Sequence, residues 1–433
     1  MSELFAILLG KAIFSLTRFF KIGGGSAAPG LFALRIDPEL VEGLIRHIPQ
    51  NIIITGTNGK TTTARMIAHF AKTSGLTVIR NQTGSNLERG IASTLINYAP
   101  SRGLAKLNYD LGIWELDEAA FNSVAPKIKP AVVVFLNVFR DQLDRYGEVD
   151  TVVKKWSETL KKLPKETIVL VNGDDANTAG LAKFPKGKVQ KFGVKDYKII
   201  GESIEHKKEK ENLDFEAKNV KLRGLNGSAF QLLTTNYPLR EASQLPTTLP
   251  LPGIYHIYDF LAAFAVGKTL GFDSKRMISS FKDFSPAFGR VEKLDFGYIF
   301  LIKNPAGATQ VFETIAPQLR SNDRLLLALN DNLADGTDVS WIWDAGFERL
   351  QVTSNKLQVI CSGTRAYDLA NRLKYAGFNP DNIIVEPDLK KAFGQAKKGL
   401  KGCLFILPTY TAMLKLQSIL AKTGIKKNYW EEE

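Results

Sequence analysis

From about Ile52 onward the chain alternates short apolar runs with stretches of helical period. The runs NIIIT (51–55), LTVIR (76–80), LGIWEL (111–116), AVVVFLN (131–137) and TIVLVN (167–172) are rich in β-branched residues and end in polar or turn-forming ones. Between them, Lys60–Thr73 and residues 151–163 carry the spacing of amphipathic helices. Strands that take turns with helices predict a parallel sheet with helices on its faces. Residues 185–250 break the pattern. They are rich in Lys, Glu and Asn, lack a long apolar helix and hold short alternating runs such as GSAFQLL, which predicts an antiparallel β insertion with exposed loops. PGIYHIYDFLAAFAVGKTLG then reads as a loop entering a helix that returns to the main unit. After Arg290 the alternation restarts with YIFLIKN, RLLLALN, LQVICSG, NIIVEP and CLFILP, a second, Rossmann-like α/β unit. The expected division is an N-terminal helix and linker (1–49), a central unit (50–296, with the insertion at 185–250) and a C-terminal unit (297–433).

The N-terminus has its own pattern. Residues 1–21 are strongly apolar, but Lys11 and Arg18 interrupt the run, which leaves no stretch long enough to span a bilayer. Glu3, with no basic residue before it, argues against a secretory signal. Phe5, Leu8, Leu9, Ala12, Ile13, Leu16, Phe19 and Phe20 share one helical side. Such a helix either packs on the body of the protein or lies on a membrane surface. GGGSAAPG, from Gly23 to Gly30, reads as a flexible hinge behind it.

Composition narrows the partners. The 433 residues are 44% apolar and 23% charged, ordinary for globular domains. With 57 Lys and Arg against 44 Asp and Glu, the net charge of +13 suits anionic partners: nucleotide phosphates, nucleic acid or an acidic membrane face. No aromatic-and-basic RNA signature or zinc-finger spacing accompanies it, so no nucleic-acid role is expected. Cys361 and Cys403 are the only cysteines, each in an apolar run that predicts a buried strand. Two such cysteines make no disulfide framework, which points to the cytoplasm.

The strongest local signal is Thr55-Gly56-Thr57-Asn58-Gly59-Lys60-Thr61-Thr62, which follows a strand and opens a helix. Glycines let a backbone wrap phosphate oxygens, and the helix start offers unpaired N–H groups and a positive dipole end. Lys60 suits the β- and γ-phosphates, and the Thr61 hydroxyl suits Mg²⁺. The common loop has a glycine five residues before Gly59; Ile54 stands there, so this loop is a shortened form. A Mg²⁺ site also needs acids. The strand LGIWELDE supplies Glu115, Asp117 and Glu118 at its carboxyl end, where ligands of parallel sheets bind. Helix capping explains one of these acids, but Glu115, closing an apolar run, points to the metal. Asn137, Arg140, Asp141, Gln142, Asp144, Arg145 and Gly147 cluster after the next strand, either as the active site or as a capped loop with surface ion pairs.

Together GTNGKTT, the strand Glu, NVFRDQLDRYGE and VNGDDANT resemble the Mur ligases, a family that includes folylpolyglutamate synthase and the amino-acid ligases of peptidoglycan. Asp141-Gln142, where most of that family has Asp-His, is similar to the MurT branch. So are Lys303-Asn304-Pro305-Ala306-Gly307 and LNDNLADGTDVSWIWD, from Leu329 to Asp344. The resemblance implies a P-loop central domain of Mur-ligase type followed by a MurT-type α/β domain. It implies ATP and Mg²⁺ as cofactors, with Gly56, Thr57, Asn58, Gly59, Lys60, Thr61, Thr62, Asn137 and Arg290 at the nucleotide. Lys60, Glu115 and Asp338 are implied as catalytic, with Thr61 and Glu115 on the metal. Some MurT proteins carry a four-cysteine zinc ribbon in the insertion; residues 185–250 hold no cysteine, so no zinc is expected. The Asn-rich base-contact segment of the family appears here as Gly253, His256 and Asp259.

The activity implied is a glutamine-using carbon–nitrogen ligase: amidation of the D-glutamate α-carboxylate in the lipid II stem peptide to D-isoglutamine, through an acyl phosphate. Ammonia is scarce at neutral pH, and glutaminases use a cysteine activated by histidine. The four histidines, His47, His69, His206 and His256, lie far in sequence from both cysteines. The resemblance therefore implies a GatD-type glutaminase as partner in a heterodimer, with Asp338 lent across the interface to orient its catalytic histidine. Two other readings stand beside this one: an amino-acid ligase similar to folylpolyglutamate synthase, and a non-catalytic ATP-binding scaffold for a glutaminase.

Overall fold

The computed structural model describes residues 2–19, 27–81, 85–100, 107–139, 149–200, 203–206, 212–235, 244–284, 291–351 and 357–425. The chain opens with α1 (Ser2–Phe19), α2 (Ala28–Ile36) and α3 (Leu40–Ile45). It then lays down β1 (Gln50–Thr55), α4 (Lys60–Thr73), β2 (Val78–Arg80), α5 (Glu88–Tyr98) and β3 (Leu111–Leu116). Next come α6 (Glu118–Ile128), β4 (Val132–Phe135), α7 (Val149–Leu160), β5 (Ile168–Asn172) and the short α8 (Ala176–Gly180). Strands β6 (Val189–Val194), β7 (Tyr197–Ile200), β8 (Ser203–His206), β9 (Phe215–Leu222), β10 (Ser228–Thr234) and β11 (Leu245–Leu249) follow, then α9 (Tyr255–Thr269) and α10 (Ser274–Ser280).

Nine of these strands form one sheet, ordered β11-β10-β9-β6-β5-β4-β1-β3-β2. From β2 across to β9 every neighbour is parallel. β10 is antiparallel to both of its neighbours, β9 and β11. The antiparallel expectation for 185–250 therefore holds for its later strands and fails for β6 and β9, which extend the parallel sheet. Among the described residues of this unit, β7 and β8 stand apart as a two-stranded antiparallel ribbon.

The alternation of the strands explains the layering. Ile52, Ile54, Val132 and Val134 face one side and pack on α4 and α9. Ile53, Val133, Phe135 and Trp114 face the other, against Phe121 of α6, Trp156 of α7 and the N-terminal helices. Each fully buried side chain of this kind contributes about 1.5–3 kcal/mol. α9 is buried all round from His256 to Gly267, which is why its sequence lacks a polar stripe.

α1 packs on the body through Ala6, Ile7 and Gly10, while Leu4, Phe5, Leu8, Leu16 and Phe19 are exposed. The apolar side singled out in the sequence is thus mostly the outward one, with Leu9 and Ile13 at its margins. Of the expected hinge, Gly23 to Ser26 lie outside the described residues, and Ala28, Pro29 and Gly30 belong to α2. Gly30 lies so close to α5 that an added Cβ would sit 2.0 Å from the Arg89 carbonyl oxygen.

The second sheet begins with the hairpin β12 (Glu292–Leu294) and β13 (Gly297–Ile299). It continues through α11 (Pro305–Ile315), β14 (Arg324–Ala328), β15 (Gln358–Ser362), α12 (Ala366–Tyr375) and β16 (Ile383–Val385). It ends with α13 (Leu389–Lys397), β17 (Leu404–Pro408) and α14 (Tyr410–Lys422). Its order is β12-β13-β17-β14-β15-β16, parallel except for the hairpin.

Candidate active site

The phosphate loop joins β1 to α4 in the middle of the large sheet. Gly56 has φ +136 and Gly59 φ +90, conformations open to glycine. A Cβ on Gly59 would fall 2.2 Å from Asp259 Oδ1, and one on Gly56 would fall 2.9 Å from the Asn137 carbonyl oxygen. No side chain of the described residues caps α4. Its first N–H groups and dipole end therefore face the crevice, the arrangement that receives phosphate.

Lys60 is buried. Its Nζ donates to Gly56 O at 2.5 Å and stands 3.8 Å from Asp117 Oδ1 and 4.0 Å from Glu118 Oε2. The ammonium is folded over the loop it serves, with two carboxylates balancing it. The Thr61 hydroxyl donates to Glu115 Oε2 at 2.7 Å, so the two groups suited to Mg²⁺ touch. Both are hard oxygen donors. Among the described residues no three His, Cys, Asp or Glu side chains converge to hold an ion unaided. Mg²⁺ commonly takes one or two carboxylates and completes its shell with phosphate oxygens and water, so the Thr61–Glu115 pair fits it.

Asn137 and Thr57 hold the loop from behind. Asn58 N donates to Asn137 Oδ1 at 2.9 Å, Asn137 Nδ2 donates to Asn58 O at 3.1 Å, and Thr57 N donates to Asn137 O at 3.0 Å. The Thr57 hydroxyl accepts from Phe139 N at 3.0 Å. Thr62 is buried in the first turn of α4 and lines the cleft in front of the loop. Tyr255 and His256 of α9, Ile199 of the ribbon, and Phe300 and Lys303 past β13 form the walls of that cleft, which is open to solvent. The Pro252 carbonyl accepts from His256 Nδ1 at 2.6 Å, and the Thr63 hydroxyl donates to Asp259 Oδ1 at 3.4 Å.

Other supporting residues carry no individual role in the sequence reading, although Asp174 and Asp175 belong to its VNGDDANT run. Asn81 donates to Glu115 O and accepts from Glu115 N, each at 2.9 Å, which fixes the end of β3. In the VNGDDANT segment Asp174 accepts from Val194 N at 2.6 Å and from the Tyr258 hydroxyl at 2.7 Å. Asp175 accepts from Val138 N at 2.9 Å and caps α8. Burial raises the Asp175 carboxyl above its ordinary range, although three N–H donors oppose the rise. Burial first, and then the Asp174 carboxylate, push the Tyr258 hydroxyl well above its usual value. These groups tie strand ends together; a single asparagine or a tyrosine inside an apolar helix leaves no spacing to read.

Asp338 lies away from the phosphate loop, exposed on the segment after β14, where it accepts from Ser340 N at 2.8 Å. Asp335 is buried and accepts from Thr411 N and its hydroxyl, at 2.8 and 2.5 Å. Arg140, Asp141, Gln142, Asp144, Arg145, Gly147 and Arg290 lie outside the described residues. Burial pushes the Cys361 thiol up to about 12, and burial with Asp323 pushes the Cys403 thiol up to about 11.

Comparison with known proteins gives this geometry its class. Residues 54–267 match the Mur ligase middle domain, and residues 301–413 match the MurT ligase C-terminal domain. Among solved structures, MurF from Acinetobacter baumannii superposes with a TM-score of 0.69 at 17% identity, covering 92% of this chain and 81% of that one. MurF from Thermotoga maritima in complex with ADP gives 0.66 at 16% identity, covering 93% and 85%. The fold is thus that of the Mur ligases, ATP-dependent enzymes as a class. The MurT subunit of lipid II isoglutaminyl synthase (glutamine-hydrolyzing) from Streptococcus pneumoniae is 31% identical over 94% of both chains. The chain belongs to the MurT family.

Proposed function

We propose that this chain is the ATP-consuming subunit of a lipid II isoglutaminyl synthase. It amidates the α-carboxylate of D-glutamate in the lipid II stem peptide to D-isoglutamine, with ammonia from a GatD-type glutaminase bound as its heterodimer partner. The observation that carries this reading is the pneumococcal match at 31% identity, which runs through both sheets over 94% of each chain.

A carboxylate is a poor electrophile, and ATP supplies the group that activates it. A substrate oxygen attacks the γ-phosphorus and ADP departs. Ammonia then attacks the acyl carbon, inorganic phosphate leaves, and the nitrogen sheds a proton to give the amide. In this scheme Lys60 turns from Gly56 O to the phosphates and neutralises charge on the moving phosphoryl group. Thr61 and Glu115 hold Mg²⁺. The backbone from Gly56 to Thr62 cradles the phosphates, and Asn137 keeps the loop in shape. Arg290 is assigned to the nucleotide on resemblance alone.

Asp338 is exposed, as a residue lent to a partner must be, and it orients the partner's catalytic histidine. Cys361 is buried and Cys403 half-buried, and both thiols are held in the protonated, poorly nucleophilic form, which favours a separate glutaminase. The outer side of α1, with its row of exposed Leu and Phe, is assigned to the surface of the membrane that carries the substrate.

The test is reconstitution of the chain with its glutaminase on lipid II, Mg-ATP and glutamine, with the product read by mass spectrometry. Conversion of the glutamate carboxyl to a primary amide supports the reading. Incorporation of an amino acid instead of ammonia assigns the chain to the amino-acid ligases.

A further inference from the structure

Asn58 and Asn304 meet across the two sheets. Asn58 Nδ2 donates to Asn304 Oδ1 at 3.2 Å, and Asn304 Nδ2 donates back to Asn58 Oδ1 at 3.0 Å. Asn304 is fully buried, and its Oδ1 also accepts from Gly307 N at 2.8 Å, capping α11. Capping alone does not require asparagine, since serine or aspartate serves as well. Nor do the phosphate-facing N–H groups of the loop require a particular side chain at residue 58. A reciprocal pair does: each partner must donate and accept through one planar group, which the carboxamides of Asn and Gln provide.

The pair is the middle of a longer connection. On one side, Asn137 clasps the backbone of Asn58 from the end of β4. On the other, α11 runs to the segment after Asp338, where Gly346 N donates to the Thr309 hydroxyl oxygen at 3.0 Å and Arg349 pairs with Glu313. One helix therefore touches the phosphate loop at its start and the 346–349 turn along its length. The asparagine side chains rest on the same loop whose backbone must adopt a set shape to wrap phosphate.

We propose that the Asn58–Asn304 amide pair is the latch through which the shape of the phosphate loop sets the seat of α11, and with it the second sheet. Asn304 is then a positioning residue. Nucleotide in the loop favours the latched arrangement, and by linkage the latched arrangement favours nucleotide to the same degree. The inference rests on the reading of this loop as a nucleotide site.

The test uses the full chain with its partner subunit, Mg-ADP as the probe, and the variants Asn304→Ser, Asn58→Ala and the double substitution. Asn304→Ser keeps a capping oxygen for α11 and removes the reach to Asn58, so its melting temperature stays near that of the wild type. Calorimetry is expected to find Mg-ADP bound about fivefold or more weakly by each single variant, and no more weakly by the double than by the weaker single. Hydrogen exchange in residues 305–315 and 340–350 slows on adding Mg-ADP to the wild type and fails to slow in Asn304→Ser. Losses that simply add, or an α11 response in Asn304→Ser equal to the wild type, overturn the latch alone. A wild-type protein that does not bind Mg-ADP overturns both the latch and the nucleotide reading beneath it.

Discussion

At the scale of single residues, the chemistry rests on groups whose environments set them apart. Lys60 is a buried cation between loop carbonyls and two acids. Lys60→Ala is expected to lower amidation by about 10²–10³ with either nitrogen source, the loss typical of one preorganised charge-stabilising group. Unchanged turnover would instead make the chain a scaffold. Asp338 is expected to act on one branch only. Asp338→Asn should depress glutamine-dependent amidation, by up to about 10⁴ if it serves as the orienting carboxylate of a triad does, and leave ammonia-dependent amidation intact. Equal loss with both sources would remove that role. For the thiols the sign follows from burial, which disfavours the charged form. With Cys361 pushed to about 12 and Cys403 to about 11, both stay protonated at pH 8.5. Iodoacetamide at that pH should label the folded chain slowly and the denatured chain quickly, where thiols return to about 8.5. Rapid labelling of folded protein would contradict the burial argument.

Among the elements, legibility followed period and punctuation. β3 and α4 sit where their sequences place them, because an apolar run ending in Glu115 and a glycine loop ending at Lys60 are both sharp boundaries. The loop Gly56–Thr62 and the Thr61–Glu115 pair could be read from residue types in order. The clasp on the Glu115 backbone could not: Asn81 reaches it from another strand end, and a lone asparagine carries no period. The insertion departs from the antiparallel expectation only at β6 and its pairing with β9, for a similar reason. Short alternating runs reveal strands but not their direction, and β6 and β9 take theirs from the parallel edge they join. α1 was open to two readings because an amphipathic pattern names a side without saying what covers it. Ala6, Ile7 and Gly10 make the close approach to the body and leave Leu4, Phe5, Leu8, Leu16 and Phe19 outside. With that side on a bilayer, the chain should sediment with vesicles of phosphatidylglycerol and phosphatidylcholine. Phe5→Ser with Phe19→Ser should return it to the supernatant, and co-sedimentation unaffected by the pair would free α1 from that task.

At the scale of the whole molecule, two sheets stand in chain order but not in equal readiness. The large sheet has all its strands by Leu249. The second waits for its last strand, since β17 lies between β13 and β14 and pairs with both: Leu404 is opposite Gly297 on one side and Arg324 on the other. A chain ending at residue 403 should therefore keep exchange protection in β1, β3 and β4 and lose it from β13 to β16. Protection retained there would mean that β13 and β14 can close without their seam. During translation the same arrangement imposes a delay. While the nascent chain leaves the ribosome, β13, β14 and β15 emerge with their apolar sides unmatched and stay so until the final strand slides in. This C-terminal third of the protein is where holdase chaperones should bind longest, and where an early stop codon costs most for the few residues it removes.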